Sequence, residues 1–394
     1  MRNKISVIGL GYIGLPFALL LSKKGFYVDA IDTNQLKIKD LIKAKFKSEE
    51  DDINSIFKKV KNKKNLNFST ILKNSDFYIL CLPTPIKKNK KCDLSYLIKA
   101  IKQISTGIKK NNTIIIESTV PIGTTKKLFL LINKLRPDLK NQLNICFSPE
   151  KAIPGNTLSE MKNNQRIIGA DKKTFNLVKK IYQKFTIKKV KNFTIEEAEA
   201  SKLLENSFRD NQIAFSNYIG IELKKRNLDM NKIIKICNMH PRVNFLMPSI
   251  GVGGHCLPLD PYFLNFKKKK DNLILSSRRI NDKKTIIIIS KLRKIIKLNK
   301  DKKICFWGIG YKPGSTDIRE SPAIKVISAL NKKNKFYISD PLFKIMISRN
   351  LHIRNFINPN LALKKFDLHI ILNLKQKYIK EKFKNKNFIL AENL

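Results

Sequence analysis

The sequence predicts an α/β fold: two Rossmann-like, doubly wound domains joined by a central helical domain built on a long helix. Three observations carry this expectation. Near the start, a short apolar strand from Lys4 to Ile8 runs into Gly9-Leu10-Gly11-Tyr12-Ile13-Gly14; a helical pattern follows from Pro16 to Lys24, then a second strand from Tyr27 to Ile31 that ends on Asp32. Far along the chain, a strand from Lys303 to Trp307 meets a second glycine turn, Gly308-Ile309-Gly310. Between them, Ile195 to Arg226 keeps helical periodicity interrupted by Gly220 alone. The expected domains are 1–190, 191–300 and 301–394.

The first motif has the full context of a dinucleotide site: strand, GxGxxG, helix, strand, acid. Gly9, Gly11 and Gly14 allow a tight turn and let a pyrophosphate approach the helix N-terminus, where the helix dipole favours an anion. Asp32 would accept hydrogen bonds from a ribose diol and repel a 2′-phosphate, which favours NAD over NADP.

Further strands follow at Phe77 to Leu82, Thr113 to Ile116 and Leu143 to Phe147. They end in Pro83-Thr84-Pro85, in Glu117-Ser118-Thr119 and on toward Thr124-Thr125, and in Ser148-Pro149-Glu150. Ligands of open α/β sheets sit at such strand ends, although Ser118 and Thr124 are equally ordinary loop and cap residues. On the long helix Lys202, Asn206 and Arg209 share one face, while Leu203, Leu204, Phe208, Ile213, Ala214 and Phe215 are expected to bury much of the rest. A helix is expected over Asn231 to Asn238 and another over Ser276 to Leu298. Strands are expected at Lys335 to Ser339 and Asp367 to Leu372.

Ile250 to Pro261 contains Gly251, Gly253 and Gly254, then His255-Cys256, with Asp260 four residues after the sulfur. Such density of glycine and proline makes a shaped loop, suited either to a buried cysteine in a tight turn or to a nucleophilic thiol that a substrate can reach.

Composition narrows the function. The formal net charge is +48, yet only about a dozen of the 79 basic residues are Arg, and the lysines are spread from end to end. Nucleic-acid recognition favours clustered arginine, so no nucleic-acid partner is expected. The six cysteines form no CxxC pair and no metal-ligand spacing, so neither disulfides nor a metal are expected. No apolar run is long enough to cross a bilayer, which points to a cytoplasmic protein without membrane contact.

An NAD site combined with one loop thiol suggests a specific chemistry. A thiol is superfluous for simple alcohol oxidation. It is useful when the aldehyde must be held and oxidised again, as a thiohemiacetal that becomes a thioester and is released by water as an acid. That is a four-electron oxidation of an alcohol to a carboxylate.

The chain also resembles a known family. Gly9 to Pro16, Pro83-Thr84-Pro85, Glu117-Ser118-Thr119-Val120-Pro121, Ser148-Pro149-Glu150, Ala200-Ser201-Lys202-Leu203, Gly253-Gly254-His255-Cys256 and Arg319-Glu320-Ser321-Pro322 look like the UDP-glucose/GDP-mannose dehydrogenase family, in its order and over nearly the whole chain. Glu205 to Asp210 and His240-Pro241-Arg242-Val243-Asn244 resemble the branch that oxidises UDP-N-acetyl-D-mannosamine to its uronic acid for bacterial surface polysaccharides; enzymes acting on UDP-N-acetyl-D-glucosamine are the alternative. The resemblance implies Cys256 as nucleophile and Lys202 as acid/base, holding the developing oxyanion with Asn206. It implies Asp260 and Thr119 around the hydrolytic water, with Glu150 nearby. Tyr12, Ile13, Asp32, Thr84, Thr125 and Arg319 match NAD contacts. Arg209, His240, Arg242, Gly253, Tyr311 and Lys312 match sugar-nucleotide contacts, together with Lys151-Ala152, where the family usually has Arg-Val. It also implies a homodimer formed through the central helix.

Overall fold

The computed structural model describes residues 3–153, 155–264, 271–331, 336–343 and 355–394. By compactness the chain divides into two units. One runs to Leu204 and takes in Tyr262; the other takes Glu205–Pro261 and continues to Leu394.

The first unit is built on an eight-stranded sheet: β1 (Lys4–Ile8), β2 (Tyr27–Ile31), β3 (Leu66–Ser69), β4 (Phe77–Leu80), β5 (Thr113–Ile116), β6 (Asn144–Phe147), β7 (Ile167–Gly169) and β8 (Lys191–Phe193). Their spatial order is β3-β2-β1-β4-β5-β6-β7-β8. All pairs are parallel except β6 with β7. The central strands are apolar runs because helices cover both faces. Alternation assigns Phe77 and Ile79 to one core and Tyr78 and Leu80 to the other. Helix Gly14–Lys23 is apolar all round and almost wholly buried, whereas Asp51–Val60 buries only Ile53, Ile56, Phe57 and Val60. Strand order reverses between β1 and β4, which places the glycine turn after β1 in the crevice where open α/β sheets take ligands.

One helix, Ile195–Lys225, spans 31 residues and so about 46 Å. In the second unit it is followed by helix Met230–Cys237, whose first turn is capped by Asp229, and helix Leu273–Leu298, capped by Asn272. A second sheet contains β9 (Ile304–Trp307), β10 (Tyr337–Ser339), β11 (Leu368–Ile371) and β12 (Phe388–Leu390), parallel and ordered β10-β9-β11-β12. The expected start of β10 at Lys335 lies outside the described residues.

The long helix corrects one expectation. Leu203 and Ala214 are buried, but Leu204, Phe208 and Phe215 are exposed, Phe208 at 63%. The apolar stripe continues past what the chain's own core covers.

Among the described residues no helix is long and apolar enough to cross a membrane, and no cluster of His, Cys, Asp and Glu is suited to a metal.

Candidate active site

The turn after β1 is shaped for close approach. Gly9 has φ +93°, and a Cβ there would meet Cys81 O at 2.5 Å; a Cβ on Gly14 would meet Gly9 O at 1.8 Å. A Cβ on Gly11 would meet nothing within 4 Å, so Gly11 faces open space. No side chain caps helix Gly14–Lys23, which leaves its first N–H groups without a side-chain competitor for an anion. Tyr12 is half exposed beside them. Asp32 Oδ2 accepts from Leu10 N at 2.9 Å and Oδ1 from Asn34 N at 3.0 Å. Lys37 Nζ lies 3.7 Å from Asp32 Oδ2, a residue that motif reading missed. The available signal was the cap Asn34, whose helix returns residue 37 over the carboxylate. These residues fit a dinucleotide.

The ends of β4, β5 and β6 are cross-linked. Thr84 Oγ1 donates to Thr119 O at 2.8 Å. Ser118 Oγ donates to Leu80 O and accepts from Leu82 N, and Ser148 Oγ donates to Ile167 O, so both serines hold strands together. Glu150 Oε1 accepts from the backbone of Lys151 and Ala152, at 2.6 and 2.8 Å, and Oε2 from Arg166 at 2.7 Å. The buried Arg166 also reaches Glu117 at 3.2 Å and stacks over the Tyr182 ring, while the Tyr182 hydroxyl donates to Glu117. Burial pushes the Glu117 carboxyl up to about 7, against the pull of Arg166. Glu117 stands in the motif at the end of its strand, but Arg166 and Tyr182 carry no sequence signal of their own.

Glu199 caps the helix Thr124–Leu135: its carboxylate accepts from Gly123 N at 2.5 Å and Thr125 N at 2.8 Å. The Thr125 hydroxyl is buried with no hydrogen-bond partner among the described residues. Lys202 follows Glu199 by three residues on the same helix and is 9% exposed.

In the second unit Cys256 is the one cysteine of the six that is exposed. Asp260 N donates to Cys256 O at 2.9 Å, and the buried Asp260 side chain accepts from Asn206 Nδ2 at 2.5 Å. Cys256 and Asp260 are therefore held in one main-chain turn, and the Asp260 side chain is tied to Asn206. Glycine turns let the Cys256 loop pass under the turn at Tyr311: a Cβ on Gly253 would meet Glu320 O at 2.7 Å, and Gly254 N donates to Arg319 O. Arg319 itself is held in a fork by Asp317. Lys312 Nζ lies over the Tyr311 ring. His255 is lowered from its ordinary value by burial and the nearby Arg319. Arg209, His240 and Arg242 are exposed, with His240 Nδ1 accepting from Arg242 N. Thr119, Glu150, Lys151, Ala152 and Lys202 belong to the first unit.

Residues 3–186 match the NAD binding domain of the UDP-glucose/GDP-mannose dehydrogenase family, 196–283 its central domain and 305–392 its UDP binding domain. The chain belongs to the UDP-glucose/GDP-mannose dehydrogenase family. It is an NAD-dependent UDP-sugar dehydrogenase, with the NAD half built on the first sheet. The UDP-N-acetyl-D-mannosamine dehydrogenase of Methanocaldococcus jannaschii is 40% identical over 332 residues, covering 83% of this chain and 76% of that protein. The Campylobacter jejuni enzyme of the same name is 35% identical and covers 84% of both. The solved UDP-D-ManNAc dehydrogenase of Pyrococcus horikoshii superimposes with a TM-score of 0.84 at 31% identity, covering 95% of this chain and 90% of that one.

Proposed function

We propose that this family member oxidises UDP-N-acetyl-D-mannosamine to UDP-N-acetyl-D-mannosaminuronate through a covalent intermediate on Cys256, feeding surface polysaccharide synthesis. The substrate follows from likeness to relatives bearing that name. The observation that carries the covalent route is the exposed Cys256, in one main-chain turn with an Asp260 whose carboxylate is tied to Asn206.

NAD, when bound, accepts one hydride in each of the two oxidations. The chain's residues do the rest. Lys202 takes the proton of the C6 hydroxyl as the alcohol becomes an aldehyde. The Cys256 thiolate adds to that aldehyde, forming a C–S bond, and the oxyanion is stabilised by Lys202 and Asn206. Loss of the second hydride leaves a thioester. Water held by Asp260 and Thr119, with Glu150 fixing the adjoining loop, then breaks the C–S bond to give the carboxylate and regenerate the thiol. One alcohol, two NAD+ and one water give one carboxylate, two NADH and three protons.

The lining of the sugar-nucleotide site is assigned to Arg209, His240, Arg242, Gly253, Tyr311 and Lys312, with Lys151 and Ala152 from the Glu150 loop. Lys151 keeps the charge but not the fork of an arginine. Tyr12, Ile13, Asp32, Thr84, Thr125 and Arg319 are assigned to NAD. A homodimer through the long helix would cover its exposed apolar stripe and the cavity of about 580 Å³ lined by Phe208, Phe215, Tyr218, Val243, Phe245 and Leu273.

The test is NADH production with UDP-N-acetylmannosamine, UDP-N-acetylglucosamine and UDP-glucose side by side. Two NADH per mannosamine substrate and no turnover in Cys256→Ser are expected. Preference for the glucosamine substrate would reassign the sugar, and full turnover in Cys256→Ser would reject covalent catalysis.

A further inference from the structure

A buried line of hydrogen bonds runs through the second unit toward the Cys256 loop. It begins at Arg278, whose guanidinium donates to Asp210 Oδ1 at 2.5 Å and to Asp282 at 2.7 Å. Asn281 Nδ2 donates to the same Asp210 oxygen at 2.9 Å and to Asp210 O at 3.1 Å. Asn281 Oδ1 accepts from Asn217 Nδ2 at 2.9 Å, and Asn217 Oδ1 accepts from Ser249 N at 2.8 Å. Ser249 Oγ then donates to Gly251 O at 2.9 Å. Alongside, Thr285 Oγ1 donates to Ile250 O at 2.8 Å. Arg278, Asp210, Asn281, Asn217 and Thr285 are all buried.

The order of donors and acceptors leaves no freedom. Ser249 N–H can only donate, so it fixes the Asn217 oxygen and turns the Asn217 amide nitrogen toward Asn281. The Asn281 oxygen must meet it, which sends the Asn281 nitrogen to the Asp210 carboxylate. Although Asp210 Oδ2 has no hydrogen-bond partner among the described residues, the Ser249–Asn217–Asn281–Asp210 run favours one direction, because turning either amide strands a polar group away from water. Its far end is equally constrained. Gly251 has φ +138°, and a Cβ there would meet Thr285 Oγ1 at 2.2 Å, so the backbone passes flush against that hydroxyl. Five residues later comes Cys256. At the near end, Asp210 adjoins Arg209, which is assigned above to the sugar nucleotide.

We propose that Asn217, Asn281 and Thr285 are positioning residues for the nucleophile: with the Asp210–Arg278 pair they set where the Cys256 loop leaves the two helices. This rests on the reading of Cys256 as nucleophile. The relay acts on the placement of the thiol and not on affinity, so it moves kcat and thiol reactivity while leaving the KM for NAD in place.

The experiment uses the full chain. Thr285→Val keeps the shape and removes the hydrogen bond; Thr285→Ser restores it. Asn217→Asp replaces the amide donor facing Asn281. For each variant, kcat and KM are measured with UDP-N-acetylmannosamine and NAD, and the rate of iodoacetamide alkylation at Cys256 is followed by peptide mass spectrometry. Thr285→Val and Asn217→Asp are expected to lower kcat about tenfold or more and to change the Cys256 alkylation rate at least threefold, with KM for NAD within twofold and Thr285→Ser near wild type. Unchanged kcat and alkylation in Thr285→Val, with Cys256→Ala inactive, would overturn the relay and leave the nucleophile standing. Should Asn217→Asp fail to fold, Thr285→Val and its serine rescue decide alone. Full turnover in Cys256→Ala would overturn the nucleophile and the relay together.

Discussion

Asn206 Nδ2 donates to Asp260 Oδ2 at 2.5 Å, tying the long helix to the carboxylate four residues after Cys256. The bond fixes both the amide and the acid. If Asp260 serves the hydrolytic half of the reaction, Asp260→Asn keeps the shape of the pair and loses the charge. The expected outcome is a rapid burst of NADH followed by a steady rate lower by roughly a hundredfold to a thousandfold. Stopped-flow absorbance checks this; a linear trace without a burst would place Asp260 before the thioester.

The glycine turn makes a two-sided prediction. Gly14→Ala drives a methyl group into Gly9 O and should lower thermal stability as well as NAD binding. Gly11→Ala meets nothing in the protein, so the melting temperature should hold while the KM for NAD rises, since the new methyl group occupies space left for the cofactor. Melting curves and NAD titrations on both variants separate the two effects.

Glu117 carries a pH signature. Its carboxyl is pushed up to about 7 by burial, above the ordinary 4.5. The folded state therefore holds this proton more tightly than the unfolded chain does. Its contribution to stability is fully present below the unfolded value and is lost as pH rises through the folded one. Between about pH 5 and about pH 8, urea unfolding should show wild type losing stability relative to Glu117→Gln, which keeps a neutral side chain throughout. An identical pH dependence in the two proteins would mean that Glu117 is ionised across the range.

Glu199 gives a stability prediction. Its carboxylate holds two N–H groups at the start of helix Thr124–Leu135 while fully buried. Glu199→Ala strands both donors and should cost about 1–3 kcal/mol in urea unfolding. Loss of less than a few tenths would show that the cap is replaced by water.

The parts legible in the sequence are those whose causes are local. Strands Lys4–Ile8, Tyr27–Ile31 and Thr113–Ile116 stand out as apolar runs because both faces of the sheet are covered. The glycine turn and the Cys256 loop stand out because they need glycine at defined places. Lys191–Phe193 left no such mark, being exposed along its length. Nor did Glu117 with Arg166, or Asp210 with Asn281, whose partners lie 49 and 71 residues apart and obey no period. Phe208 and Phe215 show a different limit: periodicity marks an apolar face without saying whether the chain's own core covers it.

The two sheets repeat one device with opposite effect. Ile309 N donates to Asp340 Oδ2 at 2.8 Å, just as Leu10 N donates to Asp32. Asp340, however, also accepts from Leu342 and Gly310 and is buried, whereas Asp32 is only partly buried. A carboxylate left partly open can accept a further donor, whereas one buried and saturated cannot. The same acid after a glycine turn is thus left partly open in one sheet and closed off in the other.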